Sequence, residues 1–305
     1  MSPRIRPLDP SASRSLRNLS KSYWKLVLLS WFLVHTLFSF ITAAQQRPLL
    51  TENPTILNPG RASLEFGLKF LQNSKFPVSG LRGDQTSVGV MGLNFSLGKM
   101  AEVQTEWTAY NFLSITQASI APIVPELSSN GRATSDFGDL RLSTKILMIP
   151  EGQQTPSFGV FTSVELPNTS TNKGLGLNST QYRGGILLGK HWGQLHAFGN
   201  LGLGILSNPV QAGSQNDVAL YGLGGIYTLT KRINIAGEIF GRWSTRKIPP
   251  VGTESNSQLR LGLQIYRAGL RWDIAGSVGL AKLSPKSGII FGLTKEFDYF
   301  FHRKK

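Results

Sequence analysis

The sequence has no cysteine, so a disulfide framework and a thiolate metal site are both excluded. With only four histidines, a histidine-rich metal site has little to draw on. Charged residues are scarce as well, at 16% against roughly 25% in soluble domains. Long apolar runs are confined to one place, Leu26 to Ile41. Beyond it no stretch approaches the ~20 residues of a transmembrane helix. If this chain enters a membrane, strands must hold it there. Glycine, by contrast, is abundant: 33 residues, above the usual share of about 7%. Low charge with abundant glycine suits a sheet whose outer face meets lipid.

The first 44 residues read as a signal peptide. Arg4, Arg6, Arg14, Arg17, Lys21 and Lys25 lead into the apolar run, and Thr42-Ala43-Ala44 offers a small-residue cleavage site. The alternative is an uncleaved signal anchor, because the apolar run is close to spanning length. Residues 45–60 carry Pro48, Pro54 and Pro59 without periodicity, which predicts an extended N-terminal segment too short for a plug domain. Residues 61–301 are expected to form the folded body and 302–305 a basic tail.

The folded body announces itself near its end. Leu259, Leu261, Leu263 and Ile265 alternate with Gln258, Arg260, Gly262 and Gln264. After 267–269, Leu270, Trp272, Ile274 and Val278 alternate with Arg271, Asp273, Ala275 and Ser277. A third run puts Ile289, Phe291, Leu293, Phe297, Tyr299 and Phe301 in one register. A period of two is a strand signal, and runs of about ten residues are long enough to cross a bilayer when tilted. Further runs precede these, at 62–73, 85–98, 101–111, 137–148, 156–166, 180–190, 195–206, 217–229 and 233–243.

Connections are long at 74–84, 112–135, 167–179, 207–216 and 244–255, and short at 98–100, 191–193, 230–232 and 267–269. Those at 149–156 and 282–288 are of middling length. Short periplasmic turns alternating with longer external loops are the habit of outer-membrane barrels. The expected fold is all-β: a transmembrane antiparallel up-and-down barrel of about twelve strands, in the bacterial outer membrane, with both termini periplasmic. A soluble barrel or sandwich shows the same alternation with its faces reversed.

Outward-parity aromatics fall near strand ends, Tyr182, Tyr221 and Trp243 at the loop end and Tyr227, Trp272 and Tyr299 at the turn end. Together they make two interfacial girdles. The inward parity collects charge: Glu102, Glu106, Asp139, Arg141, Lys145, Arg183, Glu238, Arg242, Arg260 and Arg271 are candidate lumen-lining residues. They either set the ion preference of a pore or form cross-strand ion pairs in a hydrated lumen. Lys69, Glu65 and Asp273 share that parity.

A catalytic reading finds little to hold. A Ser–His hydrolase needs a hydroxyl within reach of the imidazole, and the same-face neighbours of His196 along its strand are Gln194 and Phe198. No catalytic residue, metal or cofactor is therefore assigned. Gly222-Leu223-Gly224-Gly225 lies inside a strand pattern rather than before a helix, so it reads as relief of crowding, not a phosphate loop. The formal charge of +15 does not point to nucleic acid, since no basic run interleaves with aromatics on a nucleic-acid fold.

Phe137-Gly138-Asp139-Leu140-Arg141-Leu142-Ser143-Thr144-Lys145 and Phe161-Thr162-Ser163-Val164-Glu165-Leu166-Pro167 resemble motifs of the outer-membrane channels labelled MetA-pathway of phenol degradation. The resemblance implies a barrel that passes small solutes, aromatic or hydrophobic ones among them. The expected function is a channel passing small solutes by diffusion through a polar lumen. Its partners are outer-membrane lipid, the solutes, and the assembly machinery through the C-terminal strand with its aromatic end. The alternatives are a closed structural or adhesive barrel and a lipid-modifying barrel enzyme with a nucleophile beside His196.

Overall fold

A computed structural model describes residues 47–127 and 130–299. The expected signal peptide, Phe301 and the tail 302–305 lie outside the described residues.

Strands form wherever the period of two runs long. They are β1 (Arg61–Phe76), β2 (Leu81–Ser96), β3 (Ala101–Ala118), β4 (Ala133–Asp136), β5 (Leu140–Ile149), β6 (Ser157–Leu166) and β7 (Gln181–Trp192). Then come β8 (Leu195–Ser207), β9 (Gln215–Thr230), β10 (Ile233–Ser244), β11 (Asn256–Arg267), β12 (Leu270–Gly279) and β13 (Ser287–Asp298). Each pairs antiparallel with its neighbour, and β13 returns to β1, from Arg61↔Asp298 to Gln72↔Ser287. The sheet is a closed ring with no free edge. β4 and β5 occupy one place in the wall: β4 pairs with 111–114 of β3, β5 with 101–106. The thirteen strands therefore fill twelve positions.

The faces are unambiguous. On β11, Leu261 is 60% exposed while Arg260 is 5% and Gln264 1%. The same holds around the ring: Leu201, Leu203, Leu223, Trp243 and Trp272 face outward, and Glu102, Lys145, Glu238 and Asp273 are buried inside. The soluble β reading needs these faces exchanged, and the structure contradicts it. Moving each outward Leu or Ile side chain from water into lipid is worth on the order of 1.5–3 kcal/mol. Leu261→Arg, on the outward row, is therefore expected to destabilise the barrel by about 2–4 kcal/mol if the site lies at the bilayer midplane. Urea unfolding in lipid vesicles measures this, and a neutral result would place that row away from lipid.

Two expected loops are corrected. The connection taken as 74–84 is only Pro77-Val78-Ser79-Gly80, because β1 and β2 run on as 16-residue strands. Register shifts between Glu65/Leu68 and Leu71/Ser74, with Asn73 at φ 56°, break the alternation there. Likewise 112–135 is not all loop, since β3 continues to Ala118 and β4 covers Ala133–Asp136. Near Gly89 and Ala109 the buried rows change parity, from Gly92, Asn94 and Gln104 to Ser87 and Leu113. Gly89 has φ 63°, and a Cβ there would stand 2.8 Å from that of Ala109, so only glycine fits.

Candidate functional site: the barrel lumen

Pro48 and Pro54 keep the N-terminal segment out of the strand ladders, since proline donates no backbone N–H. The segment instead crosses the inside of the ring. Glu238 of β10 accepts the backbone N–H groups of Leu50 (2.9 Å) and Thr51 (2.7 Å). Arg260 of β11 donates to the Pro48 carbonyl (2.7 Å) and Gln264 to that of Arg47. Asn200 of β8 donates to the Glu52 carbonyl, and Glu102 of β3 accepts the Leu57 N–H at 2.6 Å. Arg47 pairs with Glu65 of β1. Leu49, 2% exposed, packs against Phe198 and Ala236. The wall makes room at chosen points: a Cβ on Gly222 would stand 2.7 Å from Thr51 Cγ2, and one on Gly189 2.9 Å from Pro54 Cγ. A segment too short to be a domain is long enough to span a lumen.

The inward charges are knitted into pairs. Arg141 donates to Glu106 (3.0 Å) on one side and Glu165 (2.8 Å) on the other, and Arg183 reaches the same Glu165 oxygen at 3.1 Å. Glu102 and Lys145 lie 3.4 Å apart, both 1% exposed. Glu238 faces Arg260 at 3.6 Å, and Arg271 binds Asp273 at 3.1 Å. Eight of the ten candidate lumen-lining residues thus meet on the inner wall, together with Glu165 and Asp273. Two others do a different job. Asp139 accepts the backbone N–H groups of Asn168 and Thr169 and the Thr169 hydroxyl. Arg242 donates to the carbonyls of Glu254 and Gly252. Each ties a loop to the wall.

Asp139 also marks the break between β4 and β5. There the Trp107 indole donates to the Gly138 carbonyl at 3.1 Å, and Gly138 has no space for a Cβ beside Thr108. Beside this break, between the wall and the N-terminal segment, lies a cavity of about 440 Å³. Its lining includes Leu50, Lys69, Glu106, Trp107, Arg141 and Ile290.

Of the expected girdle aromatics, Tyr182, Tyr227, Trp243 and Trp272 are exposed on the outer face. Tyr221 lies across Gly241, where a Cβ would meet its hydroxyl. Tyr299 donates to the Ser96 carbonyl and sets its ring edge-on to Phe95. At the turn rim, His196 stacks on His191 with ring centroids 3.9 Å apart. Its Nε2 meets no hydrogen-bond partner among the described residues. His191 is held by Glu151 of the adjoining turn at 2.7 Å. Burial pushes the Glu151 carboxyl up, but the bonds from His191 and Lys190 outweigh it and hold it at about 2.

Sequence reasoning singled out the inward charges but not the segment that binds them. The signal lay in prolines within a stretch without periodicity.

Comparison with known proteins agrees on the fold. No family model matches the chain, and no curated protein matches it in sequence. Among solved structures, the translocator domain of the autotransporter NalP from Neisseria meningitidis aligns at 13% identity, TM-score 0.46, over 78% of this chain and 88% of that one. The NanC porin aligns at 10% identity, TM-score 0.45, over 78% and 100%. An outer membrane channel from Pseudomonas putida F1 aligns at 14% identity and TM-score 0.56, covering 79% of this chain and 97% of the other. The chain has the fold of an outer-membrane β-barrel.

Proposed function

We propose that the protein is a passive channel of the bacterial outer membrane, carrying small solutes through a polar lumen that residues 47–57 constrict. The observation that carries this is a closed ring with apolar rows outside and ion-paired charges inside, around a cavity of about 440 Å³. The outward Leu, Ile and aromatic rows would meet lipid, with Tyr182, Tyr221 and Trp243 near one interface and Tyr227, Trp272 and Tyr299 near the other. The C-terminal strand, β13, would engage the assembly machinery. The lumen charges would act as a field-setting lining: Glu102, Glu106, Lys145, Arg141, Arg183, Glu238, Arg260 and Arg271 along the wall, Asp139 and Arg242 where loops meet it. Fixed charges of this kind bias which ions enter a pore. Aromatic or hydrophobic solutes suit the apolar part of the cavity lining, Trp107 and Ile290.

Single-channel recording in planar bilayers under a salt gradient tests the reading. Discrete conductance steps are expected. Arg141 sits between two carboxylates, and Glu165 keeps Arg183 when Arg141 is lost, so Arg141→Gln would strip Glu106 of its ion-pair partner and shift the reversal potential toward cation preference. A reversal potential that does not move would remove Arg141 from the conduction path.

A second reading, a closed structural or adhesive barrel, is favoured by the way residues 47–57 bridge strands around the ring. Stable insertion without conductance would support it over the open channel.

A further inference from the structure

Lys69 of β1 has Ile290 of β13 and Ser87 of β2 as its cross-strand partners, and it lines the cavity beside the N-terminal segment. The other cations of that lining are all engaged. Arg47 pairs with Glu65, Arg141 with Glu106 and Glu165, and Arg260 with Glu238. The carboxylates Asp139 and Asp273 are taken up by loop N–H groups and by Arg271, and Glu52, the remaining carboxylate of the lining, is not free either. Among the described residues, no hydrogen bond or ion pair engages the Lys69 ammonium. Its surroundings are half apolar: Ile290, 6% exposed, stands directly opposite, and Leu50 and Trp107 lie on the same lining.

A half-buried ammonium with no counter-ion at contact distance favours an anion that supplies one, because charge-assisted hydrogen bonds are stronger than neutral ones. The other lining cations are already neutralised, so a single negative charge fits better than two. We propose that this cavity binds a small monocarboxylate with an apolar or aromatic body. Its carboxylate sits on Lys69 and its body lies against Ile290, Leu50 and Trp107. This deepens the channel reading and rests on it, placing the subsite on the solute path. At interior packing density, about 440 Å³ holds roughly fifteen non-hydrogen atoms, enough for benzoate or a short phenylalkanoate.

The test uses the refolded protein in planar bilayers with KCl as the current carrier. Benzoate, benzylamine, benzyl alcohol and inorganic phosphate are added in turn. Benzoate is expected to interrupt the current reversibly at concentrations where the other three do not. Lys69→Gln should raise its half-blocking concentration about tenfold or more, and Lys69→Glu should transfer the block to benzylamine. Equal action of benzoate and benzylamine on the unsubstituted protein would overturn the proposal, as would stronger block by phosphate or an unchanged benzoate block in Lys69→Gln. Absence of any KCl current sinks the channel reading instead. Calorimetric titration of benzoate into the detergent-solubilised barrel then decides the site alone. Binding lost in Lys69→Gln supports it, and no binding to the unsubstituted protein refutes it.

Discussion

Deleting residues 47–57 is expected to raise the single-channel conductance of the reconstituted barrel severalfold. The segment crosses the ring and is held by Glu238, Arg260 and Glu102, on β10, β11 and β3. Without it those side chains face water, which solvates them at little cost, and the conducting cross-section grows. A gentler variant reaches the same end. Gly222→Val puts a side chain where a Cβ alone would come within 2.7 Å of Thr51, so the segment must move away while the chain stays whole. Both variants should conduct more than the parent. Unchanged conductance in both would mean that the segment does not limit flow.

The Glu102–Lys145 pair gives the second large effect. Both side chains are 1% exposed, so removing one partner strands a charge in a poorly solvated place. Glu102→Ala is expected to cost about 3–5 kcal/mol, read as a fall in the urea midpoint of the barrel in lipid vesicles. Replacing both with apolar residues, Glu102→Leu with Lys145→Met, removes both charges and should recover much of that loss. Full recovery is not expected, because Glu102 also accepts the Leu57 N–H and a Gln104 amide hydrogen, and an unsatisfied buried donor costs about 1–3 kcal/mol. A double variant no more stable than Glu102→Ala would show that the stranded Lys145 charge is not the cause.

The barrel was legible where one strand's own alternation decides its face. On β11 and β12 the apolar row and the polar row separate cleanly, and Leu261 and Arg260 lie on the sides their parity assigns. Alternation fails where two strands change face together. The row shift near Gly89 and Ala109 broke the pattern within β2 and β3, and their far ends, 81–84 and 112–118, fell into the expected loops. Charges were identified by parity, yet parity does not say what a charge holds. Arg141 and Asp139 look alike in the sequence pattern, but one bridges two carboxylates and the other fastens a loop.

The lumen segment was least legible. Thr51 and Glu238 are 187 residues apart, and an extended stretch held mainly by distant side chains has no period of its own. Lys69 shows the same limit in reverse. Its parity placed it inward, but parity does not say which side chains of the cavity pair with one another.

The absence of cysteine makes the most direct test of the lumen segment simple. Thr51→Cys with Gly222→Cys introduces the only two thiols, one on the segment and one on the inner face of β9, where the side chains approach closely. Oxidation of the protein folded in lipid vesicles should join them in high yield, seen as a reducible shift in gel mobility, because a disulfide forms only between Cβ atoms about 3.5–4.5 Å apart. The expected result is a cross-link within each monomer. Thiols that stay free and react readily with a reagent outside the vesicle would contradict the account, and with it the constricted lumen.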